Sequence, residues 1–192
     1  MGGEELLDHR RFLAAALREA HKAWAEGEIP VGSVIVNSSG RIVARGRNQM
    51  VRRRDPTAHA EVVALRRAIS RLAPEARSDW TLYSTLEPCP MCLGMVVMLH
   101  LRGLVWAAPD RRAGAADLLH ANPYMRRHRD GMQVVACPDP GLERECAELH
   151  TRYWLAQGRP DVLEPVREVP AAKRPPGNAE AGDPARQRSP LA

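Results

Sequence analysis

Hydrophobic and polar positions along the chain alternate between two periods. From Leu6 to Glu26 apolar residues recur at helical spacing (Phe12, Leu13, Ala16, Leu17, Ala20, Trp24) with Arg and Glu between them, and Gly27 ends the run. Val31–Val36 is a short β-branched stretch, Asn37-Ser38-Ser39-Gly40 has the composition of a hairpin turn, and Ile42–Asn48 returns as a second strand. A polar loop is expected over Gln49–Asp55. Helical spacing resumes from Ala58 to Leu72, with Val62, Val63, Leu65 and Ile69 as its stripe. Strands are predicted at Trp80–Leu86, Leu104–Ala108 and Met132–Ala136. Helices are predicted at Met91–His100 (apolar nearly all round, hence sandwiched), near Ala115–His120, and at Leu142–Leu155. Strands alternating with helices, the first two strands forming a hairpin, predict an α/β sandwich with mixed strand directions. From residue 158 the pattern stops. Seven of the sixteen prolines fall there and periodicity is lost, so the division is 1–157 as one folded domain and 158–192 as a disordered Pro-rich tail.

Composition narrows the class. The 192 residues suffice for one domain with a substantial core, and 44% hydrophobic with 27% charged residues is ordinary for a globular chain. The net charge of +5 is compatible with a polyanionic partner. No apolar run reaches membrane-span length, and the stretch Met1-Gly2-Gly3-Glu4-Glu5 has no basic or apolar leader character, so a cytoplasmic location without membrane contact is the expectation. Four cysteines, two of them in Cys89-Pro90-Met91-Cys92, do not form a secreted disulfide framework; Cys137 and Cys146 are expected as core thiols.

The candidate chemistry sits in His59-Ala60-Glu61 and Pro88-Cys89-Pro90-Met91-Cys92. His59, Cys89 and Cys92 are good zinc ligands, and three protein ligands leave one tetrahedral position open, as in catalytic sites. Pro90 suits the first position of a helix, which makes Cys89 the N-cap and Cys92 the third helical residue. The partial positive charge of that helix end favours thiolate. Asp55-Pro56-Thr57 reads as a helix start with His59 in the first turn, so two helix N-termini are expected to converge on one metal. Zinc lowers the pKa of a bound water to about 7. Glu61, which is not itself a ligand, is the candidate proton shuttle between that water, a ring nitrogen and a departing amine.

These motifs, with Glu28-Ile29-Pro30-Val31-Gly32, Asn48, Thr85-Leu86-Glu87 and Asp110 with Gly114-Ala115, resemble the cytidine-deaminase superfamily, and within it the bacterial tRNA wobble-adenosine deaminases, over about Leu13–Trp154. The resemblance implies a three-layer α/β/α sandwich with a central mixed five-stranded sheet and a homodimer whose interface helps to build a nucleic-acid groove. It implies zinc on His59, Cys89 and Cys92, and Glu61 as catalytic acid and base. Asn48 would bind the flipped base, with Ile29, Pro30, Val31 and Ala58 around it and Asp110 near the ribose. The implied substrate is the anticodon stem-loop of a tRNA. Arg52, Arg53 and Arg54, running into the zinc histidine, and Arg126, Arg127 and Arg129 are candidate nucleic-acid contacts. The chain departs from the tRNA enzymes at Ala116-Asp117-Leu118-Leu119 and at Met125–Arg129, and Pro90-Met91-Cys92-Leu93-Gly94 also resembles guanine deaminases. A free purine base or nucleoside is therefore the alternative substrate, and a non-catalytic zinc-stabilised RNA-binding subunit a further reading.

Overall fold

A computed structural model describes residues 9–70 and 78–165. The elements, in chain order, are α1 (His9–Ala25), β1 (Gly32–Val36), β2 (Ile42–Arg47), α2 (Met50–Arg53), α3 (Ala60–Ile69), β3 (Thr81–Leu86), α4 (Pro90–Met98), β4 (Gly103–Ala108), α5 (Pro123–Asp130), β5 (Gln133–Ala136) and α6 (Pro140–Ala156), with 3-10 turns at Ala116–His120 and Pro160–Leu163. The five strands form one sheet in the order β2-β1-β3-β4-β5. β1 runs antiparallel to both β2 and β3, whereas β3, β4 and β5 are mutually parallel, so the mixed sheet expected from the hairpin is present.

Period-2 alternation sorts the core into two halves. Val34, Val36, Tyr83 and Val105 face α1 and α6, while Ile35, Leu82, Leu104 and Trp106 face the layer of α3 and α4. Strands β3 and β4 are buried at every residue, as parallel strands covered on both faces must be. Two glycines set the helix–sheet spacing. A Cβ on Gly32 would collide with the Ala16 carbonyl of α1, and one on Gly46 would collide with the Ala60 carbonyl and Ala64 nitrogen of α3. Both helices therefore rest directly on the sheet backbone. No helix among the described residues is long and apolar enough to cross a membrane.

Four local expectations change. Gln49–Asp55 is not a plain loop but contains the single turn α2, ended by Arg54 in the left-handed region at φ 51°. The Arg126–Arg129 cluster lies on a helix, α5, begun by the Asn122 cap and Pro123. α4 is not sandwiched: Met98 is 64% exposed, and Met91, Gly94 and Met95 are half-buried along the same side. Residues 158–165, placed in the tail by the sequence, carry a 3-10 turn held by the Arg112 guanidinium donating to the Asp161 carbonyl (2.9 Å). The first residues of the expected first helix, the end of the expected second helix at residues 71–72, and residues 166–192 lie outside the described residues.

Candidate active site

Strand polarity gathers the motif residues at one rim of the sheet. The start of β1 and the ends of β2, β3 and β4 share that rim, because β1 alone among the four runs the other way. Ile29 and Val31 enter it before β1, Asn48 follows β2, Cys89 follows β3 and Asp110 follows β4. All five line one cavity of about 180 Å³, together with Met50, His59, Glu61, Glu87, Arg112, His150, Trp154 and Val162.

His59 sits just before the helix that was expected to hold it. It is the N-cap of α3, in extended conformation (φ −65°, ψ 157°), and not a residue of the first turn. The approach is braced by Asp55, whose Oδ1 accepts from the Thr57 backbone N–H (2.8 Å) and hydroxyl (2.6 Å). These bonds also hold the Asp55 carboxyl below its ordinary range. From an extended N-cap the imidazole leaves the helix sideways, so His59 and Glu61 reach one cavity despite being two residues apart. Cys89 is the N-cap of α4 with Pro90 next to it, as the sequence predicted.

The Nδ1 of His59 lies 3.6 Å from the sulfur of Cys89 and 3.6 Å from that of Cys92. With zinc–sulfur bonds of about 2.3 Å and zinc–nitrogen bonds of about 2.0 Å, the N–S edges of a tetrahedral site are about 3.6 Å. The three side chains therefore fit a zinc ion, and among the described residues they are the one group of three or more His, Cys, Asp or Glu so arranged. Without metal, Cys89 is pulled down to about 4, chiefly by a hydrogen bond from the Cys92 thiol, with help from His59. Cys92 is pushed up by the same bond and by burial. The pair thus offers a ready thiolate at a helix N-terminus. The His59 pKa is raised, first by its hydrogen bond with Cys89.

Glu61 is 3% exposed, and burial raises its carboxyl above the usual range. Behind it stand two buried serines that the sequence reading did not single out. Ser33 and Ser84 are paired across β1 and β3; the Ser33 hydroxyl donates to Ser84 (3.2 Å) and Ser84 points its hydroxyl at Glu61 Oε1 (3.5 Å). Their signal was present as serines in two strands that are buried at every residue. Glu87 fastens the far lip, accepting from the backbone N–H groups of Asp110 (3.3 Å) and Ala116 (3.0 Å). Asp110 in turn uses Oδ1 to hold the backbone of Arg112 and Ala113.

Of the expected substrate-contacting residues, Asn48, Ile29, Val31 and Asp110 line the cavity, whereas Pro30 and Ala58 are buried beside it without lining it. Arg52, Arg53 and Arg54 are exposed on and just after α2, whose first residue, Met50, forms part of the wall. Arg126, Arg127 and Arg129 are elsewhere. Their helix meets α4 at its far end, where the Tyr124 hydroxyl contacts Met98 Sδ (3.3 Å), about 13.5 Å of helix from Cys89. The opposite wall, from α6 and the second 3-10 turn, was also absent from the sequence reading. There the Trp154 indole N–H donates to His150 Nε2 (2.9 Å), so the His150 proton resides on Nδ1.

Residues 7–108 match the profile of the cytidine and deoxycytidylate deaminase zinc-binding region. The chain belongs to that family. Among its relatives, the chloroplastic tRNA(adenine(34)) deaminase of Arabidopsis thaliana is 46% identical over 157 residues, which is 74% of this chain but 12% of that protein. The tRNA-specific adenosine deaminase of Bacillus subtilis is 34% identical over 74% of this chain and 86% of its own length. A solved structure from a study of A-to-I editing by tRNA:A34 deaminases at the wobble position is 31% identical, covers 73% of this chain and 99% of its own, and superposes with a TM-score of 0.62. The family accounts for the metal-binding cluster as a zinc site.

Proposed function

We propose that this deaminase converts the wobble adenosine of a tRNA anticodon loop to inosine, with release of ammonia. The observation that carries the reading is a single buried carboxylate, Glu61, sharing a small cavity with the His59–Cys89–Cys92 cluster. Its relatives of Arabidopsis and Bacillus are adenosine deaminases of tRNA. Zinc held by the three ligands supplies the Lewis acidity that makes water a nucleophile at neutral pH. Glu61 takes a proton from the attacking water and passes it to ring N1 as the oxygen bonds to C6 of the adenine. It then takes the proton of the hydroxyl now on C6 and gives it to N6, so that the C6–N6 bond breaks, ammonia leaves and the C6 carbonyl forms, Glu61 serving both as base and as acid. Its raised pKa suits both roles. Asn48 holds the flipped base, Ile29 and Val31 pack on its ring, with Pro30 and Ala58 supporting them from behind, and Asp110 faces the sugar. Arg52, Arg53 and Arg54 meet the phosphates nearest the cavity. A second copy of the chain covers the half-buried side of α4, where Met91, Met95 and Met98 are too apolar to stand in water. Arg126, Arg127 and Arg129, beside that face, contact RNA from there.

The test incubates zinc-loaded protein with an anticodon stem-loop carrying A at the wobble position and, separately, with adenine, guanine, cytosine and their nucleosides. Inosine in the hairpin, with no ammonia from the small molecules, is expected. Turnover of a free base or nucleoside alone overturns the assignment, as does inactivity toward every substrate, which would make the chain a binding subunit.

A further inference from the structure

Glu28 is fully buried, in the connection between α1 and β1, and among the described residues it forms no ion pair. Its two oxygens are instead spent on one short element. Oε2 accepts from the Val51 backbone N–H (3.0 Å) and Oε1 from that of Arg52 (2.7 Å), the second and third residues of α2. A four-residue helix has no stability of its own, since a first turn costs more conformational entropy than its one hydrogen bond returns. Nor does α2 cap itself: Gln49, at the N-cap, makes no side-chain bond to it. The cap comes from 23 and 24 residues away in the chain.

The turn so held has a partner in the cavity. The Met50 N–H, at the first position of α2, donates to Asn48 Oδ1 (3.0 Å). That bond settles which end of the Asn48 amide is which, because only the oxygen can accept. The Asn48 NH₂ is left as the end free for a ligand, with only a weak contact to Met50 Sδ at 3.6 Å. Asn48 thus faces the cavity as a donor, complementary to a ring nitrogen or carbonyl oxygen of a base.

We propose that Glu28 is a positioning residue for substrate recognition: by capping α2 it fixes Met50, and through Met50 it fixes the Asn48 amide as a hydrogen-bond donor to the base. The proposal rests on the deaminase reading for its substrate, not for its geometry. Glu28→Gln keeps the size but replaces one acceptor by a donor facing an N–H, so α2 loosens. With an anticodon stem-loop substrate, KM rises about 10–100-fold while kcat stays within about threefold, the value of one to two charge-assisted bonds in a buried site. Glu28→Asp, which keeps both acceptors, recovers part of the loss. The decisive arm is the double variant. If Glu28 acts through Asn48, Glu28→Gln adds less than about twofold to Asn48→Ala, whereas independent effects multiply. Multiplication, or an unchanged KM in Glu28→Gln, overturns the proposal. A readout without substrate separates the two ideas. Amide exchange at Val51 and Arg52 and the Asn48 side-chain NH₂ resonance should change in Glu28→Gln even if the wild type deaminates no RNA. That result would retain the positioning role and discard the substrate, while unchanged exchange and resonance would discard the positioning role.

Discussion

The N-termini of α3 and α4 and those of α5 and α6 solve the same problem in opposite ways. A helix leaves its first backbone N–H groups without partners. At α5 and α6 the chain supplies them: Asn122 accepts from Met125 (3.0 Å), and Asp139 accepts from Gly141 (2.9 Å) and Leu142 (3.0 Å). At α3 and α4 the N-cap residues are His59 and Cys89, and neither makes an ordinary side-chain cap bond. Both point instead at one another, 3.6 Å apart. An ordinary cap stabilises by about 1 kcal/mol. The two helices that face the cavity forgo it, and their partial positive charge is left to act on a thiolate and on the carboxylate beside them. A missing cap, in a chain that caps α5 and α6, marks the place where function has displaced stability.

The contrast is broken most completely by removing metal. Chelation should abolish turnover and lower the melting temperature, and zinc alone should restore both; a melting curve indifferent to chelator would mean that the three ligands contribute nothing to the fold. Next in size is Glu61→Gln, which should lower kcat by about 10²–10⁴-fold while zinc content, read by atomic absorption, stays unchanged. Wild-type rates in this variant would remove Glu61 from the chemistry. Ser84→Ala should reduce kcat by about three- to tenfold with KM unaltered, through loss of one hydrogen bond to Glu61. The smallest effects belong to the capped helices. Asn122→Ala should cost about 1 kcal/mol in denaturant melts and leave zinc and rate alone. Asp139 adds a pH dependence of known sign. Hydrogen bonds from Leu142 and Gly141 lower its folded pKa, so its contribution is present above the unfolded value near 3.8 and fades as pH falls through the lower folded value. Asp139→Asn should flatten that part of the acid melting profile; an unchanged profile would show that the cap is not felt.

The same contrast explains what could be read in advance. The metal cluster and Glu61 were legible because each arm is a local motif: Pro90 announces a helix start, and three ligands in two short stretches leave few alternatives. Placing His59 was harder, since an N-cap histidine is an unfavoured choice by propensity and only the metal rationalises it. α5 was missed although Asn122 and Pro123 spelled its beginning, because Arg126, Arg127 and Arg129 give no apolar stripe to count. His150, Trp154 and Val162 reach the cavity from the end of the fold, and no local pattern ties them to Cys89 or Asn48. α2 could not be found from its own residues, as its stability is supplied by Glu28.

The bare backbone of Gly46 has a reach beyond its own strand. Because α3 lies on it without an intervening side chain, the depth of that helix, and with it the height of His59 and Glu61 over the sheet rim, is gauged by the absence of one methyl group. Alanine at residue 46 would act as a shim under the helix, lifting two reactive groups out of alignment with the sulfurs on α4 while altering none of the atoms that touch a substrate.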